Sequence, residues 1–107
     1  MYKVLFSTKA KEDLDASLMY ISKKLKNPIA AHDLITKIEN KLRYLKNYPK
    51  SHPLVRDKYL KNRGIRYMLI NNYILFYQIA ESKQEIHIVR FLYSRRNWKD
   101  LLHEAEG

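Results

Sequence analysis

The chain has no cysteine in its 107 residues. Neither a disulfide framework nor a thiolate metal site can be built from it, and a reducing cytoplasm is the compartment it fits. It also lacks an apolar run long enough to cross a bilayer, and its start shows no basic region followed by a long apolar segment. A soluble, unexported, cytoplasmic protein with no membrane role is expected. His32, His52, His87 and His103 are scattered without metal-ligand spacing, which argues against a metal centre, and no cofactor is implied. Acidic residues are the last shortage: 11 Asp and Glu stand against 21 Lys and Arg, leaving a formal net charge of +10. On so small a chain that balance favours nucleic acid, the ribosome or an acidic protein as partner, without choosing among them.

One domain spanning residues 1–107 is the natural organisation at this length. The stretch Ile86–Trp98, IHIVRFLYSRRNW, organises the rest. A β-branched and aromatic run of strand length ends in a paired-arginine turn, and a tryptophan follows at once. Ile86, Ile88 and Leu92 alternate with His87, Val89, Phe91 and Tyr93, so both faces carry apolar side chains, as in an interior strand covered on both sides. Arg90 interrupts the pattern. A buried charge without a partner costs several kcal/mol, so this arginine is read either as half of a structural ion pair or as a binding residue. Arg95 and Arg96 come after the strand should end, where they are free to meet a ligand or simply to face solvent.

In chain order, Tyr2–Phe6 predicts a short strand, and Ser7 or Thr8 then offers a helix N-cap. Leu14, Leu18, Ile21 and Leu25 form one apolar stripe of a first helix. Lys26-Asn27-Pro28 closes it and opens a second, because Asn caps well and proline suits the first helical position. Ala31, Leu34, Ile35, Ile38, Leu42 and Leu45 carry the second stripe to Tyr48-Pro49, where helix must stop. Residues 49–63 read as a charged loop with a short strand near Tyr59-Leu60. Ile65–Ile70 and Tyr73–Ala80 are strands joined at Asn71-Asn72, which tolerates left-handed backbone. Ser82–Gln84 make a second hairpin loop into the organising strand, and Asn97 opens a last short helix, Trp98–Glu104, that folds back as a lid. The order β-α-α-β-β-β gives an α+β domain: a helical hairpin packed on one face of a small, mostly antiparallel sheet, with a short C-terminal helix. A ligand is expected on the opposite face, bordered by the basic loop and the Arg95-Arg96 turn, because its apolar residues would otherwise be exposed. Arg56, Lys58, Lys61, Arg63 and Arg66 are opposed only by Asp57, and Arg90, Arg95, Arg96 and Lys99 meet no acid before Asp100.

These residues carry a resemblance across nearly the whole chain. Ser7, Ala10, Asp13 and Leu14 at the first helix start, Arg66, the run Asn72-Tyr73-x-x-Phe76-Tyr77, and the closing Leu92-Tyr93-Ser94-Arg95-Arg96-Asn97-Trp98 together resemble the RelE/ParE superfamily of type II toxin–antitoxin toxins. The resemblance implies the same helical hairpin on a small antiparallel sheet. It also implies growth arrest, a plasmid-stabilisation role and hetero-oligomerisation with a cognate acidic antitoxin. Mechanism divides within the superfamily: RelE-like members cleave mRNA in the ribosomal A site, and ParE-like members inhibit DNA gyrase without being nucleases. RelE-like nucleases usually carry an arginine where Ile74 stands, lysines where Ile65 and Tyr67 stand, a tyrosine near Leu102 and often a histidine at Tyr93; the basic residue after the last strand is retained as Arg96. Catalysis, if any, would fall to Arg66, Arg96, Tyr93 and His87, since RNA cleavage by its own 2′-hydroxyl needs a base, an acid and cationic stabilisation. His87 and the two arginines are separated by about 20 Å of strand, too far to share one phosphate. Binding of target or antitoxin would fall to Arg63, Arg66, Arg90, Arg95, Arg96 and Trp98. A basic nucleic-acid-binding module without toxicity explains the charge but not the family pattern.

Overall fold

The computed structural model describes residues 1–106, with side chains through Glu104. Four strands, β1 (Lys3–Phe6), β2 (Arg66–Ile70), β3 (Tyr73–Ala80) and β4 (Glu85–Tyr93), form one sheet in the order β1-β4-β3-β2. β4 runs parallel to β1 and antiparallel to β3, and β2 is antiparallel to β3. The stretch Ile86–Tyr93 is therefore an interior strand, as its composition predicts.

Helix α1 (Thr8–Met19) begins where Ser7 accepts a hydrogen bond from the Ala10 backbone N–H at 3.0 Å, and the same hydroxyl donates to the Val89 carbonyl at 2.9 Å. The cap thus ties the helix start to β4. Helix α2 (Pro28–Asn47) is capped by Asn27, which accepts from the Ala30 N–H at 3.1 Å, with proline in its first turn. Between the two, Tyr20–Lys24 is a π-helical turn in which the Leu25 N–H reaches back five residues to the Tyr20 carbonyl. The extra residue rotates the end of the helix about its axis, so Leu25, expected on the apolar stripe, is 55% exposed.

Ala10, Leu34, Ile38 and Leu45 from the helical hairpin bury against Met68, Ile70, Leu75, Tyr77, Ile86, Ile88 and Phe91 of the sheet. The far face is not left open. Val55, Leu60, Ile65, Ile74, Phe76, Val89, Leu92 and Leu102 make a second buried cluster, with Trp98 and Leu101 packed at its side. The strand expected near Tyr59-Leu60 is instead helix α3 (Lys58–Asn62): Asp57 accepts from the Leu60 N–H at 3.1 Å, and Leu60 becomes the buried anchor. Helix α4 (Trp98–Glu106) folds back as expected, and His103 Nε2 meets Asp57 Oδ2 at 3.0 Å, joining α4 to α3. Strand pairing in this region is limited to a bridge from Leu54 to Arg66. The expectation of a ligand on the face opposite the hairpin fails for this reason. Its apolar side chains are covered from within the chain.

The alternation predicted along β4 holds only in part. Tyr77 pairs with Ile88 and Phe76 with Arg90, so Val89 is an extra residue and the register shifts there. Beyond the bulge the phase is inverted. Phe91, not Leu92, joins Ile86 and Ile88 in the hairpin-side core, and Leu92 turns to the far side.

Candidate functional site

An opening lies on the hairpin side, where α1, the π-turn and the start of α2 diverge from the start of β3 and the end of β4. It is an open groove of about 960 Å³. One wall is aromatic: Tyr73 stacks on Phe91 at 4.9 Å and 13°, and Tyr93 meets Tyr73 edge-on at 5.7 Å and 74°. Leu34 and Ile21 contribute apolar floor, Tyr20 stands at the π-turn, and Asn71-Asn72 and Arg96 form the basic and amide rim. The rim is held by backbone: Asn71 adopts φ 54° at the β2–β3 turn, the Ser94 N–H donates to the Asn72 carbonyl at 2.8 Å, and the Arg96 N–H to the Tyr93 carbonyl at 3.0 Å. Among the described residues no carboxylate lies within ion-pair distance of Arg96. A groove with an aromatic wall, half-apolar floor and one cation at its mouth suits an amphipathic segment carrying an acid.

Arg90 is turned away from any ligand. Its Nε and Nη2 donate to the two carboxylate oxygens of Asp13 at 2.7 and 2.9 Å, and the Phe91 N–H donates to the same carboxylate at 3.1 Å. The Asp13 hydrogen bond pushes the guanidinium pKa up, and only 8% of the Arg90 side chain is exposed. This is the structural ion pair of the two readings the sequence left open. It also consumes Asp13, one of the two acids that line the groove; the other, Glu12, lies outside ion-pair distance of Arg96.

The remaining expected residues are dispersed. Arg66 lies opposite Tyr77 and donates to the His52 carbonyl at 2.7 Å, whereas Arg96 follows Tyr93, which lies opposite Tyr73. The four residue steps between those β3 positions span about 13 Å, and Arg66 is not part of the groove. His87 pairs across the sheet with Gln78 and Leu5, and its Nε2 lies 2.8 Å from Glu85 Oε1, whose carboxyl that contact holds below the usual range. Tyr77 spends its hydroxyl on the Pro49 carbonyl at 2.8 Å, and burial pushes the phenol further up. Ile74 is buried in the far-side cluster. Trp98 packs beside Phe76 with centroids 5.4 Å apart, and Arg63 lies over the Tyr59 ring at 4.8 Å, both on the α3–α4 side. Arg95 is exposed. Of all the sequence candidates, Tyr93 and Arg96 meet in the groove. Tyr20 and Phe91 are not recognisable as site residues from the sequence, because no local pattern marks them: Tyr20 is set by the π-turn and Phe91 by the bulge.

Among the described residues no group of three His, Cys, Asp or Glu could hold a metal ion. Among the described residues no helix is long and apolar enough to cross a membrane.

Residues 4–98 match the family model described as the ParE toxin of type II toxin–antitoxin system, parDE. Among solved structures, the chromosomal ParDE toxin–antitoxin system from P. aeruginosa superposes with a TM-score of 0.67 at 19% identity, covering 87% of this chain and 96% of that one. The toxin–antitoxin complex RelBE2 from Mycobacterium tuberculosis superposes at 0.59 and 22% identity, covering 86% and 96%. At these identities the likeness is one of fold. No curated protein is a significant relative of the sequence.

Proposed function

The chain belongs to the ParE toxin family of type II toxin–antitoxin systems, and on that premise we propose that it arrests growth by inhibiting DNA gyrase until a cognate antitoxin occupies the Arg96 groove. The observation that carries the choice of target is the dispersal of the would-be catalytic groups. A base, an acid and a cation must converge within hydrogen-bond reach of one phosphate to cleave RNA. Here His87 is engaged by Glu85, Arg66 by the His52 carbonyl, and Ile74 is sealed in the far-side core. A stoichiometric inhibitor needs no such convergence, only a shaped surface.

The groove supports the antitoxin reading. Its aromatic wall offers anchors of the kind that dominate binding energy, and Arg96, which has no carboxylate partner among the described residues, would meet an acid on the incoming segment. The assembly would be a hetero-oligomer of toxin and acidic antitoxin.

The test compares purified toxin on gyrase supercoiling and on ribosome-dependent mRNA cleavage. Loss of supercoiling activity without mRNA cleavage is the expected result. Cleavage on ribosomes that falls by about 10²-fold in Arg96→Ala would instead establish the RelE-like nuclease. Tyr93→Phe removes only the hydroxyl and is expected to leave toxicity unchanged. Arg96→Glu should weaken the antitoxin complex by about tenfold or more, with Arg66→Glu much less disruptive.

A further inference from the structure

A second groove lies along the outer side of the hairpin, between α2 and the free edge of β2, with a volume of about 620 Å³. It is separate from the Arg96 groove except at Asn71, which touches both. Lys37 and Lys41 are four residues apart on α2 and so stand one above the other, with Tyr44 next in the same row. His52 faces them from the loop after α2, and Leu69, 60% exposed, lies along the strand edge.

The charge in this groove is not balanced. Among the described residues no carboxylate lies within ion-pair distance of Lys37 or Lys41, and the partner of Lys37 is the neutral Asn71 side chain, Nζ to Oδ1 at 2.8 Å. Lys41 makes itself felt at His52, whose pKa burial lowers first and Lys41 lowers further. At the end of the lysine row Tyr44 and Tyr48 sit with ring centroids 4.9 Å apart, and the two residues are 52% and 58% exposed. They contribute to neither buried cluster. Paired, solvent-facing rings beside a row of ammonium groups are the two components of a single-strand platform: cations for the phosphodiester backbone and π-faces for bases. A purely acidic peptide such as polyglutamate would use the lysines alone, whereas a nucleotide strand uses the lysines and, through base stacking, the exposed ring faces.

We propose that the α2–β2 groove binds the backbone of single-stranded nucleic acid, with Lys37 and Lys41 on consecutive phosphates and Tyr44 stacking on a base.

The experiment uses full-length protein, wild type and three variants, with short fluorescein-labelled single-stranded DNA and RNA oligonucleotides and a polyglutamate peptide. Anisotropy is followed between about 50 and 200 mM salt. Lys37→Gln with Lys41→Gln should lower oligonucleotide affinity about tenfold at low salt and make the log–log salt slope shallower by about 1.4, two contacts at roughly 0.7 each. Tyr44→Ala should lower affinity about fivefold or more with the slope unchanged, because stacking releases no counterions. Lys9→Gln with Lys11→Gln removes the same charge from α1 and should change little. Equal losses in the two lysine pairs would mean diffuse attraction to a basic protein and overturn the site. Polyglutamate bound as tightly as the oligonucleotides, or Tyr44→Ala without effect, would overturn the nucleic-acid reading in favour of an acidic peptide. The DNA and RNA arms identify which strand is preferred. All exposed substitutions are checked by thermal melting, and a variant that melts early is replaced by Lys37→Arg with Lys41→Arg, which should restore binding.

Discussion

On the hairpin side of the sheet, two long helices joined by a widened turn diverge from β3 and β4 and leave a groove; on the far side, helices of five and nine residues are drawn down over Phe76 and Leu92. Both faces of the sheet are apolar. What distinguishes them is the length and spacing of the elements above. The short helices can settle wherever one or two leucines find a hole, so Leu60 and Leu102 are fully buried. The long ones are anchored by Ala10 on α1 and by Leu34, Ile38 and Leu45 along α2, and their joined ends diverge from the twisting sheet. The open side is therefore the one with the longer helical cover, and sites built on long elements are held more precisely than sites on loops.

The sharpest way to break this contrast is at the ion pair that stiffens the open side. Asp13→Ala would leave Arg90 buried without its partner and the Phe91 N–H without its acceptor, a loss of about 3–5 kcal/mol in urea unfolding. Replacing both, as Asp13→Leu with Arg90→Met, should recover most of that stability, since the penalty lies in the orphaned charge. Full stability in Asp13→Ala would show that Arg90 finds water and that the groove floor is softer than its geometry implies.

On the closed side, Leu102→Ala should cost about 2–4 kcal/mol, and the loss should be local: limited proteolysis would cut within α4 while binding in the Arg96 groove persists. Coupled loss of groove binding would mean that the two faces are not independent.

A smaller effect belongs to Ser7, which both caps α1 and donates to Val89 at the bulge. Ser7→Ala should destabilise by about 1 kcal/mol, read as a lower urea midpoint with unchanged slope.

The smallest concerns pH on the closed side. The Leu60 N–H, then the contact to His103, holds the Asp57 carboxyl below its ordinary value of 3.8. A depressed folded-state pKa gives stability that is fully present above 3.8 and is lost as pH falls through the lower folded value. Melting curves at pH 6, 4 and 3 should thus converge between wild type and Asp57→Asn only at the acid end. A constant difference across that range would rule out the carboxylate as the source.

Much of the fold was legible because it rests on interactions a few residues long. Ser7 capping Ala10, Asn27-Pro28 opening α2, Tyr48-Pro49 ending it and Asn71 turning β2 into β3 are decided by neighbours, so the order of helices and strands comes from the chain itself. The same holds for the net charge and for Arg96 emerging past the end of a strand. Tertiary structure alone decided the rest. Arg90 is structural because Asp13, 77 residues earlier, is brought against it. The bulge at Val89 depends on how β4 registers with β3, and it is this that sends Phe91 rather than Leu92 into the groove wall. Asp57 makes a helix where a strand was expected because Leu60 has a core to enter. Local backbone preferences amount to about 1 kcal/mol per residue, while burying a leucine or pairing a buried charge amounts to several. Wherever the two compete, the distant contact prevails, and it was at those positions that the groove acquired its side and its aromatic wall.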